Sequence, residues 1–536
     1  MGRDDLGHFV RSARAAFSFG RGNMKIAEDI KAAHRLKSLI LADKSRPKFH
    51  FCVPFDLGFP ADQNAVFFAC GRWHLMYIYE SREDSYRWGH AVSADLTHWS
   101  FLEDALIPDE TDGGIYSGGV LLEEDGRAAV AYWSLGRGRD AGGIRIATAE
   151  PPFYEKWTKM PGYAVRCSQF GIACGEKGLE LACADPGNLW KEGGRYYMQT
   201  GNLPLLDKYR NDPSAPTDRR GDWTDLFVSD NLETWEYVHR FYERDSSGKF
   251  TADSEDAMCP WFGALPLRDG RASGSWLQLF LSHNRGSQYY IGGYDRATVR
   301  FLPRSHGRMS FKDNCLFAPE AAYAPDGRLL AFHWLRDNLD DDLDRELKKG
   351  WSGIHALPRE LWLREDGRLG IAPARELRSL RIMGKEYVFP AVEKEREISV
   401  PDPFCCELNL EAETAPEGKC GFEIFFDEEK SEVLSVYADF GRKVLVVDTE
   451  RSGTAGRAVK DEAPLELSCG ERLCLRVYLD GCTAEVFAND LQAMTRQVFP
   501  KSYESAKIRC FYRSEKVSEK TLCKVFAYDM AATGGI

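Results

Sequence analysis

Hydrophobic and polar positions divide the chain into three segments with different periodicities. Between residues 25 and 44, apolar residues recur at every third or fourth position, which predicts an amphipathic helix. From about residue 46, short apolar and aromatic runs alternate with Gly, Asp, Asn and Pro, which is typical of strands joined by tight turns. The pattern therefore predicts β-structure for nearly all of the chain, and we expect an all-β protein with a short N-terminal helical extension.

The extension, residues 1–45, has one predicted apolar face. That face consists of Ile26, Ile30, Ala33, Leu36, Leu39 and Ile40. A single apolar stripe has to be buried against something, so we expect this helix to pack on the main domain. A contact between subunits, or a roof over an active site, are the alternatives for the same face.

The second segment, residues 46–385, contains a motif that occurs twice. VSADLTHW (92–99) and VSDNLETW (228–235) share the pattern S-x-D/N-L-x-x-W at distant positions, each beside a short strand. Recurrence of one turn-and-strand unit indicates repeated sheets, and repeated short sheets predict a β-propeller. In the third segment, residues 386–536, alternating strands such as LCLRVYLD and TAEVFAND predict an antiparallel β-sandwich.

The length of the chain indicates the number of domains, and its net charge excludes some classes of binding partner. The 536 residues exceed what one hydrophobic core usually supports, which agrees with two domains. The net charge of −12 argues against a nucleic acid or an anionic membrane as partner, since both require a basic surface. A small saccharide is the expected partner, and self-association into a homo-oligomer stays open.

Cysteine and histidine patterns bear on cofactors and location. The 15 cysteines form no C-x-x-C pair, and His90, His98 and His283 have no carboxylate spacing of a ligand shell, so we expect neither a metal nor another cofactor. The N-terminus lacks the apolar run of a signal peptide, and no stretch of 18 apolar residues occurs. We therefore expect a cytoplasmic protein with free thiols.

Three acidic positions lie in aromatic, turn-rich surroundings instead of ordinary charged surface. They are Asp62 in GFPADQNAV, Asp185 in LACADPGNLW, and Glu255 with its neighbour Asp256 in SEDAMCPWF. Glycosidic bond cleavage needs one group that attacks or stabilises the anomeric carbon and a second that protonates the leaving oxygen, and both are usually carboxylates, one kept ionised and one with a raised pKa. Taken singly, each of these residues is more simply explained as an acidic residue of a turn or of the surface.

The order of several motifs resembles that of glycoside hydrolase family 32, the invertases, inulinases and levanases. The motifs are RPKFHFCVP (46–54), GFPADQNAV (58–66), WGHAVSADLTHW (88–99), IYSGGV (115–120), ADP (184–186), EDAMCPWF (255–262), LFAPEAAYAPDGRLLAFHW (316–334), LPRELWLREDGRLGIAPARELRSLR (357–381) and VYLDGCTAEVFAND (477–490). They follow the family's order from about residue 46 to the end of the chain. The resemblance implies a five-bladed β-propeller followed by a β-sandwich.

The resemblance also implies roles for individual residues. Asp62 would be the nucleophile of a retaining double displacement, Asp185 would stabilise the transition state, and Glu255 would be the acid/base. Further positions would bind substrate: Phe59, Gln63, Asn64, Trp88, Tyr116, Ser117, Asp256, Glu320 and Trp334. The predicted activity is that of an exo-β-fructosidase acting on small saccharides.

The segments around these acids depart from the family pattern. Phe59 replaces a Trp, and Ala184 replaces the Arg of the family's R-D-P. The family's Glu directly precedes Cys-Pro, whereas Glu255 lies four residues before Cys259, and Asp256 is a rival for its role. We interpret the cluster of changes as a changed substrate, such as a modified fructoside or a difructose anhydride, or as lost catalysis.

Four functions stay open from the sequence. The leading one is a fructosyl-cleaving hydrolase. The second is a fructosyltransferase, which would share the covalent intermediate of the hydrolase, or a difructose-anhydride-processing enzyme. A catalytically inactive sugar-binding protein would keep the pocket without turnover, and an arabinofuranosidase-like propeller enzyme would act on another sugar.

Overall fold

The structure is a computed structural model that describes residues 27–28, 30–53, 62–81, 85–244, 249–336, 351–453 and 458–533. The predicted substrate-binding residue Phe59 lies outside the described residues. Helix α1 includes residues 30–42, and strand β1, Cys52–Val53, follows it. Among the described residues, no helix has the length and apolar character needed to span a membrane.

Five antiparallel sheets form the blades of a propeller. Blade I comprises β2 Gln63–Ala69, β3 Arg72–Ser81, β4 Ser85–Ser93 and β5 Trp99–Phe101. Blade II comprises β6 Asp112–Leu122, β7 Ala128–Gly136, β8 Gly143–Ala149, β9 Thr158–Lys159, β10 Val165–Gln169, β11 Ile172–Cys174 and β12 Glu180–Ala182. Blade III comprises β13 Ala184–Pro186, β14 Trp190–Glu192, β15 Arg195–Gly201, β16 Asp225–Ser229 and β17 Glu236–Arg240, with helix α2 Leu203–Tyr209 inserted after β15.

Two further blades complete the propeller. Blade IV comprises β18 Met258–Pro266, β19 Ala272–Ser282, β20 Gly286–Asp295 and β21 Arg300–Arg308. Blade V comprises β22 Leu316–Tyr323, β23 Leu329–Leu335, β24 Ser352–His355, β25 Arg359–Leu363 and β26 Leu369–Pro373, and β1 pairs with β24 at its edge. The innermost strands β2, β6, β13, β18 and β22 contact one another in sequence, and β22 contacts β2, so the blades form a closed ring.

The twice-occurring motif forms the same turn in blades I and III. In blade I, Asp95 Oδ1 accepts hydrogen bonds from the backbone amides of the next turn, and Trp99 Nε1 donates to the carbonyl of Leu96 at 3.1 Å. In blade III, Trp235 Nε1 donates to the carbonyl of Leu232 at 2.9 Å in the same way. Leu96 and Leu232 both have φ of 66°. The prediction of repeated sheet units is confirmed in this element.

Two six-stranded antiparallel sheets form the C-terminal sandwich. The first consists of β27 Arg381–Pro390, β29 Cys405–Glu413, β34 Arg472–Asp480, β35 Thr483–Ala488, β36 Gln492–Gln497 and β38 Leu522–Met530. The second consists of β28 Glu395–Ile398, β30 Lys419–Phe425, β31 Val433–Asp439, β32 Val444–Arg451, β33 Lys460–Pro464 and β37 Lys507–Arg513. Strand β27 pairs with β38 along its length, so the predicted boundary between residues 385 and 386 falls inside a sandwich strand.

A buried charge network joins the propeller to the sandwich. His50, just before β1, contacts Asp480 through Nδ1 at 2.7 Å and Glu485 through Nε2 at 3.2 Å. Arg359 of blade V contacts the same Glu485 at 3.1 Å. Burial acts to lower the pKa of His50, but its two carboxylate partners raise it to about 9. Residues of the motifs at 46–54, 357–381 and 477–490 contact one another here, so these motifs stabilise the junction between the two domains.

The predicted packing of the N-terminal helix is limited to its last turn. Ile40 is buried, whereas Ile30 is 52% and Leu39 48% exposed. The chain reaches the main body just after α1, where Asp43 Oδ2 accepts a hydrogen bond from Trp351 Nε1 at 2.7 Å. Ile26 lies outside the described residues, and of the rest of the expected apolar face Ile30, Ala33 and Leu39 are exposed.

Candidate active site

A cavity of about 500 Å³ opens at one end of the propeller ring, and all five blades contribute to it. It is lined by Asp62, Ile78, Tyr116, Ser117, Trp133, Phe170, Asp185, Leu203, Pro204, Asp207, Met258, His283, Phe317, Trp334 and Arg336. Its walls are mainly aromatic and apolar, and its ionisable groups are Asp62, Asp185, Asp207, His283 and Arg336. That composition is typical of a pocket for a small organic ligand.

The innermost strands lose regular pairing where they enter the cavity. Register shifts occur in each of the five blades, at Gln63/Ala65, Ile115/Gly118, Ala184/Pro186, Met258/Trp261 and Phe317/Glu320. A bulge bends a strand and turns a side chain away from the sheet face. The repeated irregularity explains why one residue at or beside each shift, such as Asp62, Ser117 or Asp185, lines the same cavity.

Asp62 presents one carboxylate oxygen without a hydrogen-bond partner. Its Oδ2 accepts a hydrogen bond from Ser117 Oγ at 2.9 Å, whereas Oδ1 has no partner among the described residues. Burial raises the pKa of Asp62 to about 6, although Ser117 and nearby positive charge act in the opposite direction. A buried, oriented carboxylate with an unused oxygen is suited to attack an electrophilic carbon.

Asp185 lies in the same cavity on the short strand β13. Its φ of 34° is unusual for a residue other than glycine, and Cys259, which contacts it, has φ of 46°. The Cys259 thiol lies 3.6 Å from Asp185 Oδ2. Burial and then the charge of Asp62 raise the pKa of Asp185 to about 7. Strained backbone at two contacting residues of a cavity is a feature of functional sites.

His283 is the partly exposed imidazole that lines the cavity. It follows β19, and Asp256 holds it at two points: Oδ1 accepts from the His283 backbone amide at 3.0 Å, and Oδ2 contacts Nδ1 at 2.8 Å. Burial acts to lower the pKa of His283, but the hydrogen bond and charge of Asp256, with the charges of Asp185 and Asp62, raise it above its ordinary value.

The placement of Glu255 does not support its predicted role as acid/base. Glu255 is buried and is not among the residues that line the cavity. Its two oxygens accept hydrogen bonds from the Arg308 guanidinium at 2.9 Å each, and Oε2 also accepts from Gln288 Nε2 at 2.9 Å. Although burial acts to raise the pKa of Glu255, Arg308 holds it below its ordinary value, which is the wrong direction for a proton donor.

Two family models cover most of the chain. The glycosyl hydrolases family 32 N-terminal domain matches residues 55–373, and the family 32 C-terminal domain matches residues 376–525. The chain belongs to glycoside hydrolase family 32. The propeller and the sandwich are the two domains that these models describe.

Individual members of family 32 resemble this chain at low identity. Sucrose-6-phosphate hydrolase of Zymomonas mobilis is 26% identical, over 91% of this chain and 93% of its own. Levanase of Bacillus subtilis is 23% identical, over 89% of this chain and 69% of its own. The crystal structure of fructan 1-exohydrolase IIa from Cichorium intybus superposes with a TM-score of 0.74 at 18% identity, covering 91% of this chain and 98% of that one.

The substrate-binding residues predicted from the family 32 motifs divide into two groups. Tyr116, Ser117 and Trp334 line the cavity. Trp88 lies behind it and donates from Nε1 to the carbonyl of Tyr116 at 2.9 Å. Glu320 is buried away from the cavity, and burial raises its pKa well above the ordinary value.

The remaining predicted residues support the cavity from behind. Gln63 and Asn64 are buried in β2 and do not line it. With its amide oriented to satisfy its neighbours, Asn64 accepts hydrogen bonds from Trp88 Nε1 at 3.2 Å and the Ile78 amide at 3.1 Å. Asp256 contacts His283 instead of the cavity. These residues fix the shape of the site without facing a ligand.

Several cavity residues escaped sequence reasoning. Met258 directly precedes Cys259, the position at which the family motif has its Glu, and it contributes a thioether to the cavity. Phe170 is 58% exposed at the rim, with its ring 4.9 Å from that of Trp133. Helix α2 and the residue after β23 add Leu203, Pro204, Asp207 and Arg336. No motif identifies these residues in the sequence, but Met258 stands where the family motif has its Glu, and this indicates that the acid/base lies elsewhere.

Proposed function

We propose that this protein is a retaining glycosidase that transfers a fructosyl unit from a small saccharide to water, with Asp62 as nucleophile. The observation that supports it best is the placement of Asp62 and Asp185 on one aromatic cavity, with Oδ1 of Asp62 buried and without a hydrogen-bond partner among the described residues. Relatives in the family that are named for cleaving fructosyl compounds, among them levanase and β-fructofuranosidases, support the choice of sugar.

The reaction begins with ionised Asp62. Its Oδ1 attacks the anomeric carbon of the fructosyl unit as the bond to the leaving oxygen breaks, which forms a fructosyl ester. Ser117 holds Oδ2 at 2.9 Å, so the carboxylate enters the reaction with its orientation fixed. Asp185 accepts hydrogen bonds from sugar hydroxyls, and its charge stabilises the positive transition state. Water then attacks the ester and releases fructose.

Charge in the cavity favours an uncharged saccharide. Among the described residues that line it, Asp62, Asp185 and Asp207 are acidic, whereas Arg336 and His283 are the cations. A phosphorylated sugar would bring negative charge beside these carboxylates. Ala184 supplies no guanidinium where the family motif has an Arg. Apolar walls of Trp133, Phe317 and neighbouring rings instead offer faces against which a neutral sugar can stack.

Product analysis on a panel of saccharides tests the proposal. Sucrose, fructo-oligosaccharides, levan and difructose anhydrides are incubated with the protein, and released sugars are separated by anion-exchange chromatography. We expect fructose from at least one small saccharide, and we expect Asp62→Asn to lower kcat by about 10³-fold or more. Asp225→Asn is the matched control, because Asp225 is another buried carboxyl with a pKa raised to about 6 that lies outside this cavity.

The same panel separates the alternatives. Fructosylated sugars at high substrate concentration, in place of free fructose, would identify a transferase. Saccharide binding by calorimetry without turnover, equal in wild type and Asp62→Asn, would identify an inactive binding protein. Release of arabinose from arabinosides, with no fructose from any fructoside, would contradict the proposed sugar specificity.

The cysteines support a cytoplasmic location as part of this proposal. All 15 are free thiols, and many are buried in the cores of the two domains. Oxidising compartments favour paired cysteines, so free thiols agree with a reducing one. Fractionation of the native host, with immunodetection of the protein, tests this; recovery outside the cytoplasm would contradict it.

A further inference from the structure

The proposed reaction needs a group that protonates the leaving oxygen, and the expected Glu does not line the described cavity. Glu255 is tied to Arg308 by two hydrogen bonds of 2.9 Å. Met258, directly before Cys259, has no proton to donate. Among the described residues, the cavity therefore lacks the carboxylic acid that the family motif would place beside Cys259-Pro260.

His283 occupies the same blade as Met258 and also lines the cavity. Its position is fixed by three contacts. Asp256 contacts Nδ1 at 2.8 Å and the backbone amide at 3.0 Å, and the Phe317 ring packs against the imidazole edge-on at 5.4 Å. Because Nδ1 is engaged by buried Asp256, Nε2 is the nitrogen left for a ligand in the cavity.

The charges around His283 come from four elements. Asp256 precedes β18, Asp185 lies on β13, Asp62 precedes β2, and Arg336 follows β23. Three carboxylates favour the imidazolium form and one guanidinium opposes it. An imidazolium beside an ionised nucleophile provides the two protonation states that glycoside cleavage requires.

We propose that His283, positioned by Asp256, is the acid/base of the fructosyl-cleaving reaction; the inference rests on the proposed function. In the first step, Asp62 Oδ1 bonds to the anomeric carbon while the glycosidic bond breaks, and the proton on His283 Nε2 passes to the leaving oxygen. In the second step, neutral Nε2 accepts a proton from water, the water oxygen bonds to the anomeric carbon, and Asp62 leaves as carboxylate. Asp256 keeps the ring in place through its contacts with Nδ1 and the backbone amide of His283.

Asp185 is the competing donor, because a carboxyl whose pKa is raised to about 7 holds a proton for part of the time. A proton on Asp185 would, however, remove the negative charge beside the developing cation. Fluoride departs without receiving a full proton, so a variant that lacks the proton donor keeps most of its activity on a fructosyl fluoride. If His283 is the donor, the His283 variant shows this behaviour; if Asp185 is the donor, the Asp185 variant does.

The experiment compares His283→Ala and His283→Gln with wild type on two substrates. One is the best natural saccharide from the panel, and the other is β-fructosyl fluoride. We expect His283→Ala to lose about 10²–10⁴-fold in kcat/KM on the saccharide but less than about tenfold on the fluoride. Azide should restore turnover of the fluoride-derived ester and yield fructosyl azide. The Gln variant retains an amide that can contact Asp256, and its melting temperature monitors folding.

His98 provides the matched control. Asp95 contacts His98 at the same two points, the backbone amide and Nδ1, at 2.8 Å each, but the pair is on the surface of blade I. His98→Ala should leave both substrates unaffected. Equal losses on both substrates for His283→Ala, or no loss on either, overturn the proposal.

Asp256→Asn tests positioning separately. Loss of the carboxylate lowers the pKa of His283, so the alkaline limb of kcat/KM should move to lower pH, whereas a purely structural role would lower the rate without moving the limb. A loss for Asp185→Asn that the fluoride bypasses, without one for His283→Ala, assigns the proton to Asp185 and overturns the inference alone. A wild type inert on every fructoside and on the fluoride overturns the proposed function as well.

Discussion

Glu255 and Arg308 form a bidentate ion pair, with both carboxylate-to-guanidinium distances at 2.9 Å. This pair anchors the segment before β18 to the end of β21, close in sequence to Asp256, which holds His283. The ion pair with Arg308 therefore indicates that Glu255 stabilises the fold and does not transfer a proton to the substrate.

Glu255→Gln should destabilise the fold and leave chemistry nearly intact. Breaking a buried pair leaves the Arg308 charge poorly compensated, at a cost of about 3 kcal/mol. Thermal melting should show the loss, while kcat well below the melting temperature should stay within about fivefold of wild type. If kcat instead fell by at least about 100-fold while the melting temperature stayed unchanged, Glu255 would return to the catalytic role.

Asp62→Asn and Asp185→Asn should make the protein more stable above neutral pH. The folded-state pKa values, about 6 and about 7, exceed the ordinary 3.8, so the folded protein binds more protons than the unfolded chain between about pH 4 and 7. Stability from these groups is present at low pH and is lost as pH rises through that window.

The gain at pH 8 should be roughly 2–4 kcal/mol for the pair, and it should shrink toward pH 4. Urea titrations of wild type and variants at both pH values measure it. A destabilising effect of either substitution at pH 8 would show that the carboxylates are structural supports.

The kcat/KM of wild type should rise with pH between about 6 and 7, because both Asp62 and Asp185 have to be ionised. Asp62 attacks only when ionised, and burial raises its pKa to about 6, so activity is lost on the acid side as it is protonated. Initial rates between about pH 4 and 9 at constant ionic strength provide the profile. Full activity maintained at the acid end of that range would contradict an Asp62 nucleophile in this environment.

Sucrose should be a better substrate than sucrose 6-phosphate. Asp62, Asp185 and Asp207 outnumber the cations Arg336 and His283 in the described lining of the cavity. The added phosphate should raise KM by at least about tenfold, which corresponds to about 1.4 kcal/mol of unfavourable charge interaction. Parallel assays of the two sugars decide this; a lower KM for the phosphorylated one would contradict the inferred preference for an uncharged saccharide.

The fold was accessible from the sequence because its determinants are local and repeated. The turn around Asp95 and Leu96 recurs around Asn231 and Leu232 with the same tryptophan hydrogen bond. The residues that form this turn lie within a few positions of one another, so the turn can be recognised from their spacing in the sequence. The N-terminal helix was harder, because burial of Ile40 without Ile30 depends on where the chain meets the main body.

The site was only partly accessible for a physical reason. Asp62 and Asp185 each lie in a recognisable motif at a bulged strand, and both face the cavity. Proximity to the Cys259-Pro260 motif favours Glu255 in the sequence, yet the direction of its side chain depends on Arg308, which is distant in sequence. His283 carries no motif, and its relation to Asp256 arises only when β18 and β19 pair.

Identification of the covalent intermediate tests the central claim most directly. Wild type is mixed with β-fructosyl fluoride, quenched in acid within milliseconds and digested for peptide mass spectrometry. We predict a peptide containing Asp62 that carries the mass of one fructosyl unit, absent in Asp62→Asn. Turnover without an adduct on Asp62, or with the adduct on another residue, would contradict the claim.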